Sequence, residues 1–328
     1  MVSPVSVALC TYNGERFIGE QVRSILDQTV PAFELVVSDD ASSDRTLAIV
    51  AEVFAEARAA GVVVPELRVF RNEMPLGVVR NFEQAIRECR GDLIALSDQD
   101  DRWVPEKLER FVHAFAEHPD LLLINSDARL VGESGEPLGY SLFEALVLSQ
   151  AERTRVRSGA GFAALLGRNI VTGATTVFRR ALLEVALPFP GSWVHDEWLA
   201  VLASAFGDFD FLDEQLIDYR QHGANVIGAG RVTFAEKLAR LREPRNERNR
   251  RLLERADALR DRLATAGADE GFVAAATAKV EHERVRSGLP AVRIARLGGV
   301  VREFGRGGYS RYGRGAQDAL RDLVQPAR

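Results

Sequence analysis

The sequence is poor in sulfur and has no long apolar run. Its only cysteines, Cys10 and Cys89, each lie inside an apolar segment, the setting of reduced core thiols and not of a disulfide framework or a thiolate metal site. No apolar stretch reaches the roughly eighteen residues of a membrane span. The segment "MVSPVSVALCTYN" lacks a basic region followed by a long apolar core and cleavage site, so a cytoplasmic location is expected. No internal repeat of solenoid period is present. With 46% hydrophobic and 27% charged residues among 328, disordered and fibrous classes are excluded, and the length suits one large domain plus a smaller one.

Net charge is also small, −5, but it is unevenly divided. Residues 1–228 hold 20 Lys+Arg against 34 Asp+Glu, whereas residues 229–328 hold 22 against 13. The change of sign places a domain boundary near Gly228 to Gly230.

What is present is alternation. "VSVALC" (5–10), "ELVVS" (34–38), "LRVF" (67–70) and "DLIAL" (92–96) have the length and β-branched content of strands. Helical segments lie between them. In "GVVRNFEQAIREC", Phe82, Ala85, Ile86 and Cys89 recur at helical spacing. Asn13 or Gly14 and Ser42 or Ser43 are candidate helix starts. This order implies an α/β fold, a mostly parallel sheet with helices on both faces. Further along, "DLLLINSDARLV" (120–131) predicts a strand, "EPLG" a turn, "WVHDEWLAVLASAF" (193–206) a helix and "FDFLDEQLIDYRQH" (209–222) strands. Beyond residue 230 the pattern is helical, with Leu252, Ala256, Leu259 and Leu263 as one stripe.

In such a sheet the ligand crevice lies beyond the carboxyl ends of the strands. There the chain places Thr11, Tyr12 and Asn13, then Asp39 and Asp40, then Arg71 and Asn72, then Asp98 to Asp101. The last group, in "LSDQDDRW", is costly: two carboxylates about 4 Å apart repel by roughly 4 kcal/mol at an effective dielectric of 20, so water or a cation must separate them. Asp98 and Asp100 at i and i+2 suit a hard divalent ion and a diphosphate. Helix capping by Asp100 or Asp101 is the plainer reading, and it explains one aspartate of the three. Asp39 and Asp40 either accept hydrogen bonds from a base or ribose or cap a turn. Tyr12 either stacks on a base or lids the core.

Asp196, in "WVHDEWLA", is a candidate general base between two tryptophans expected to shape its cavity. A carboxylate favoured by a helix N-terminus is its alternative. In "DYRQHGANVIG", Arg220, His222 and Asn225 follow a strand, where a cation and an imidazole can meet a diphosphate or complete a metal shell. "GRGGYSRYGRG" (305–315) interleaves Arg, Gly and Tyr, but with this overall charge a flexible joint between helices is preferred over nucleic-acid binding.

Taken together, "VSVALCTYNGERFIGEQVRSILDQT", "ELVVSDDASSDRT", "RNEMPLGVVRNFEQAI", "GDLIALSDQDDRW", "HDEW" and "YRQHGANVIG" resemble the successive blocks of the family 2 glycosyltransferases, across about residues 3–228. The resemblance implies a GT-A fold (Rossmann-like, mostly parallel) followed by a small all-helical C-terminal region. By position, Thr11, Tyr12, Asp40 and Arg71 would hold the nucleotide, with Asp39 close behind and Arg220 on the donor side. "SDQDD" resembles the DxD motif, with Asp98 at the ribose and metal shell and Asp100 binding Mn²⁺ or Mg²⁺. Asp196 matches the family's base, and His222 a position that contacts metal or diphosphate.

The blocks also resemble the branch containing bacterial rhamnosyltransferases of cell-envelope polysaccharides. That resemblance implies an inverting, metal-dependent transfer from a dTDP- or UDP-sugar to a saccharide or lipid-linked saccharide. "HDEW" departs from the commoner Glu-Asp pair, and no Gln-x-x-Arg-Trp block of processive synthases is present. A nucleotidyltransferase acting on sugar phosphates and a non-catalytic nucleotide-sugar binding protein are the competing classes. For residues 229–328, contact with the inner membrane face, an acceptor or a second copy is the expectation, and no nucleic acid.

Overall fold

The computed structural model describes residues 3–222 and 244–327. The boundary expected near Gly228 to Gly230, and Asn225 with it, lie outside the described residues. Strands and helices alternate as β1 (Val5–Thr11), α1 (Ile18–Leu26), β2 (Glu34–Asp39), α2 (Thr46–Ala59), β3 (Glu66–Arg71), α3 (Val78–Glu88) and β4 (Leu93–Ser97). There follow β5 (Arg102–Trp103), α4 (Lys107–Glu117), β6 (Leu121–Val131), β7 (Pro137–Ser141), β8 (Thr176–Arg179), the His195–Phe206 helix and β9 (Asp208–Arg220). They form one sheet in the order β3-β2-β1-β4-β8-β6-β9-β5, with β7 paired to β6. The β3-β2-β1-β4 half is parallel. β8 runs antiparallel to both neighbours, and β6 and β9 are parallel.

Successive strand side chains point to opposite faces, and both faces are dry. Val5, Val7, Leu9, Leu35, Val37, Leu93 and Ala95 pack under Ile18, Val22 and Ile25 of α1, Val50, Val53 and Phe54 of α2, and Leu108 and Phe111 of α4. Ala8, Cys10, Val36, Ile94 and Leu96 face Phe82, Ala85 and Ile86 of α3 and the His195–Phe206 helix. This two-sided burial explains the near-continuous apolar strands of the sequence. Cys10 and Cys89 are free and buried within it, and burial pushes both thiols up.

Local details differ from the sequence expectations. The helix after β1 starts regularly at Ile18, preceded by a turn in which Gly14 O accepts from Phe17 N–H and Ile18 N–H. α2 begins at Thr46, where Asp44, not Ser42 or Ser43, accepts the Thr46 amide at 3.0 Å. "EPLG" is not itself the turn: the chain reverses at Gly132 to Glu136 and Pro137–Ser141 is strand β7. The tail segment around Tyr309 is packed rather than a flexible joint, because Gly308–Tyr312 is helical and Tyr309 is buried with its hydroxyl on Asp322 Oδ2 at 3.0 Å.

The C-terminal helices do not stand apart. Leu259, Leu263 and Ala276, from the Arg245–Thr265 and Glu270–Ser287 helices, belong to the same buried cluster as Trp193, Trp198 and Leu199. Arg262 donates to Val185 O at 2.7 Å, Leu187 O at 3.0 Å and Pro188 O at 2.8 Å, fastening the tail to the segment before the His195–Phe206 helix. Among the described residues no helix is long and apolar enough to cross a membrane.

Candidate active site

The site is assembled at the carboxyl ends of β1, β2 and β4. Thr11, the last residue of β1, donates its hydroxyl to Asp39 Oδ1 at 2.7 Å, and Ser42 donates its amide to Asp39 Oδ2 at 2.9 Å. Asp39 is fully buried, so it is a loop organiser whose oxygens are occupied by the chain. Asp40 accepts from Leu76 N–H at 2.6 Å and Gly77 N–H at 2.9 Å, pinning the start of α3. Gly77 has φ +82°, the left-handed region that glycine enters without strain. Arg71 is exposed at the rim, with one guanidinium contact to Ser42 O at 3.1 Å. Tyr12 is half exposed, its ring free of the core.

Tyr12 is latched to the acidic loop by a residue that sequence reasoning missed. Its N–H donates to Gln99 Oε1 at 2.8 Å, and Gln99 Nε2 donates to Tyr12 O at 3.0 Å. A Cβ on Gly14 would lie 2.2 Å from Gln99 Oε1, so the close approach requires glycine there.

The three aspartates after β4 separate. Asp101 is buried and accepts the Arg220 amide at 3.0 Å, so it supports the loop and caps no helix. Asp100 Oδ2 accepts from His222 Nε2 at 2.8 Å, and the imidazole stacks on Phe17 at 5.1 Å. Asp98 is pushed up to about 7, first by burial and then by the charges of Asp100 and Asp196. Asp98 and Asp196, carried by two different elements, thus lie close enough for one charge to act on the other.

Arg220, expected on the donor side, is fastened to this loop. It donates to Asp100 O at 2.8 Å, Glu133 O at 2.8 Å and Glu20 Oε2 at 2.6 Å, and lies 4.8 Å from the Phe17 ring. Its guanidinium sets the backbone on which Asp100 is mounted.

Lys107, also missed, lies behind the aspartates with no exposed surface. Its Nζ donates to Ala174 O at 2.9 Å and sits 3.7 Å over the Trp103 ring. Burial brings it down to about 7, opposed by the Asp101 and Asp98 charges. A sequence signal existed: Lys107 shares the face of Leu108, Phe111 and Phe115, the buried side of α4.

Asp196 occupies the first turn of the His195–Phe206 helix and is buried. Burial raises its carboxyl to about 6, opposed by the amides of Glu197 and Gly173, which favour the ionised form. His195 stacks on Phe82 at 4.0 Å, has no partner on either ring nitrogen, and is held neutral by burial at about 3. A Cβ on Gly173 would meet His195 Nε2 at 2.9 Å, so the turn that faces Asp196 needs glycine for this contact. The tryptophans around this block serve mainly to anchor the tail. Trp198 is fully buried and donates to Ala186 O at 2.8 Å. Trp193 donates to Arg255 O at 2.9 Å beneath the Arg255 guanidinium, which is paired with Glu197.

The structure thus brings Asp98, Asp100, Asp196 and His222 together, with Thr11, Asp39, Asp40 and Arg220 supporting and Tyr12 and Arg71 at the rim. Among the described residues no group of three or more His, Cys, Asp or Glu side chains is placed to hold a metal ion.

Comparison with known proteins places this arrangement. Residues 6–185 match the family model for Glycosyl transferase family 2. A protein of Mycobacterium tuberculosis is 28% identical over 228 residues, covering 68% of this chain and 60% of that protein, so the chain spans well under two thirds of that relative. A dTDP-rhamnosyl transferase of Shigella flexneri, RfbG, is 25% identical over 273 residues, 81% of this chain and 86% of its own. In structure, TarS 1–349 of S. aureus in complex with UDP-GlcNAc superimposes with a TM-score of 0.54 at 17% identity, over 98% of this chain and 90% of that one. The mannosyltransferase PcManGT of Pyrobaculum calidifontis, in complex with GDP-Man and Mn²⁺, gives 0.52 at 19% identity, over 98% and 79%. With the strand-end residues from Thr11 to Asp101 inside the matched segment and the fold shared with these neighbours, the chain belongs to glycosyltransferase family 2 and has a GT-A fold.

Proposed function

We propose that the protein is an inverting glycosyltransferase that moves a sugar, rhamnose from a dTDP donor in the first instance, to a hydroxyl of a saccharide or lipid-linked saccharide during cell-envelope polysaccharide synthesis. The observation that carries this reading is Asp196, a buried carboxyl at about 6 in the first turn of the His195–Phe206 helix and near enough to Asp98 for its charge to raise that group. Above that pH it is a carboxylate in a dry setting, suited to take a proton from an acceptor hydroxyl. The oxygen so activated attacks the anomeric carbon as the bond to the diphosphate breaks, and the proton stays on Asp196.

On the donor side, the exposed Tyr12 ring offers a stacking surface for the base and Arg71 a cation at the rim. Asp39, Asp40 and Thr11 act by fixing the loops that carry these groups. Asp100 and His222 would hold a divalent cation, Mg²⁺ or Mn²⁺: a carboxylate oxygen and an imidazole nitrogen lie 2.8 Å apart, and both are donor types that such ions accept. The local charge agrees, since Asp98 is raised by burial and then by Asp100 and Asp196, and is opposed by the buried Lys107 ammonium. When bound, such a cation supplies positive charge to the departing diphosphate. The dTDP-rhamnosyl transferase and the Mn²⁺-bound mannosyltransferase support the sugar and the metal respectively. A cytoplasmic location at the inner membrane face follows from a lipid-linked acceptor.

The test is Asp196→Asn assayed with dTDP-rhamnose and an acceptor saccharide. Retained donor binding with turnover at least about 10²-fold lower is expected. Unchanged turnover removes Asp196 from the role. Release of pyrophosphate rather than nucleoside diphosphate identifies a nucleotidyltransferase, and binding without product a nucleotide-sugar binding protein.

A further inference from the structure

The Leu297–Gly305 helix and the turn before it are built inside out. Three inward residues are Arg296, fully buried, and Val300 and Glu303, nearly so. Arg296 donates to Pro290 O at 2.8 Å and Gln325 O at 2.7 Å, and Glu303 accepts from His282 at 2.6 Å. The outward residues are Ile294, 83% exposed, Leu297, 53%, Val301, 60%, and Phe304, 48%. Leu297, Val301 and Phe304 fall at offsets 0, 4 and 7, one continuous stripe. Val292, 64% exposed, extends it at the preceding turn. Single exposed apolar residues are ordinary, but four on one helical face with a fifth at the turn before it are not.

The charge around the stripe is of one sign. Residues 290–315 contain six arginines, at 293, 296, 302, 306, 311 and 314, and one carboxylate, Glu303. Arg293, Arg302 and Arg306 are exposed beside the stripe, and none has an ion-pair partner among the described residues. The one acid that would offset them is turned into the core against His282.

We propose that this face docks on an anionic lipid bilayer, with Ile294, Leu297, Val301 and Phe304 entering the headgroup and acyl boundary and Arg293, Arg302 and Arg306 lying among lipid phosphates. An interfacial helix needs just these two elements, an apolar face and a cationic flank. A two-fold contact between copies of the chain satisfies only the first, since it sets arginine rows near one another. The proposal deepens the lipid-linked acceptor reading by naming the surface that brings the enzyme to it. Its test reads lipid binding without turnover, so its failure leaves the transferase reading standing.

The experiment is co-sedimentation of the full chain with phosphatidylcholine vesicles, with and without phosphatidylglycerol. Pelleting that depends on phosphatidylglycerol and weakens with salt is expected. The combined Leu297→Gln, Val301→Gln, Phe304→Gln variant should lose it by at least about tenfold, and Arg293→Glu with Arg302→Glu should remove the anionic preference by a similar factor. All five positions are exposed, so melting temperature and nucleotide binding should match wild type. Absence of phosphatidylglycerol-dependent pelleting, or equal pelleting of wild type and the triple variant, overturns the proposal. So does a wild-type dimer that the triple variant converts to a monomer with no lipid dependence, which would assign the stripe to a second copy.

Discussion

Gln99 and Tyr12 exchange two hydrogen bonds, amide to carboxamide in both directions, at 2.8 and 3.0 Å. A side chain of the acidic loop thereby imitates a strand partner for the backbone that carries the stacking tyrosine. Gln99→Ala should cost roughly 1–2 kcal/mol, two partly solvated bonds at the low end of the usual range. The loss should fall on donor affinity more than on turnover. Calorimetric titration with dTDP beside steady-state rates would show the split, and an unchanged dissociation constant would refute it.

The pH dependence of turnover should carry an ascending limb near 6. Asp196 must be ionised to accept a proton, and its carboxyl is raised to about 6, so rate falls as pH drops through that value. A rate profile measured on saturating donor tests this. The assignment fails if the residual activity of Asp196→Asn keeps the same limb.

Stability should move the opposite way with pH at Asp98. Its folded value, about 7, lies above the ordinary 3.8, so the folded state holds a proton that the unfolded chain has released between those values. Stability contributed by this group is thus greatest in acid and falls as pH rises from about 4 to 7. Asp98→Asn should melt higher than wild type at pH 8 by a few degrees and show little difference at pH 4. Thermal unfolding at both pH values decides it, and a lower melting point for the variant at pH 8 would contradict the sign.

Mn²⁺ should raise the melting temperature most when dTDP is present, because the protein supplies few ligands of its own. Asp100→Ala and His222→Ala should each reduce that joint increment while dTDP alone still binds. An undiminished increment in both variants would exclude the pair as metal ligands.

Arg255→Ala should loosen the Arg245–Thr265 helix, leaving Glu197 half-buried without its cation. A loss of up to about 3 kcal/mol is expected. Hydrogen exchange should quicken in that helix and at Trp193, whose indole bonds Arg255 O at 2.9 Å. Exchange unchanged at both would show that the pair contributes nothing to docking.

Much of the sheet was legible because its strands are short, β-branched and bounded by helices whose periodicity is clear, as with Phe82, Ala85 and Ile86. Strand ends pointed to Asp98 and Asp100, and the start of a predicted helix to Asp196, without any contact being known. What escaped was set by side-chain reach across the sheet. Arg220 looked like an anion ligand because a cation after a strand usually is one, yet Glu20, 200 positions away, turns it inward. Gln99 has no periodic or charge signature, and only the missing Cβ of Gly14 reveals its role. In the tail, helical periodicity marked Leu259 and Leu263 correctly. The Leu297–Gly305 helix inverts that logic, since Arg296 finds carbonyl acceptors in the core and leaves its apolar neighbours outside.

The shared core of the tail and the sheet has a consequence for how this protein can diverge. Leu259, Leu263 and Ala276 pack in the cluster that holds Trp198 and Leu199, two and three residues beyond Asp196. A lineage that exchanged its C-terminal helices would therefore also disturb the mounting of Asp196, the proposed base. Change is cheapest at the outer face around Phe304, where a substitution alters the exposed surface and leaves the Asp196 mounting untouched.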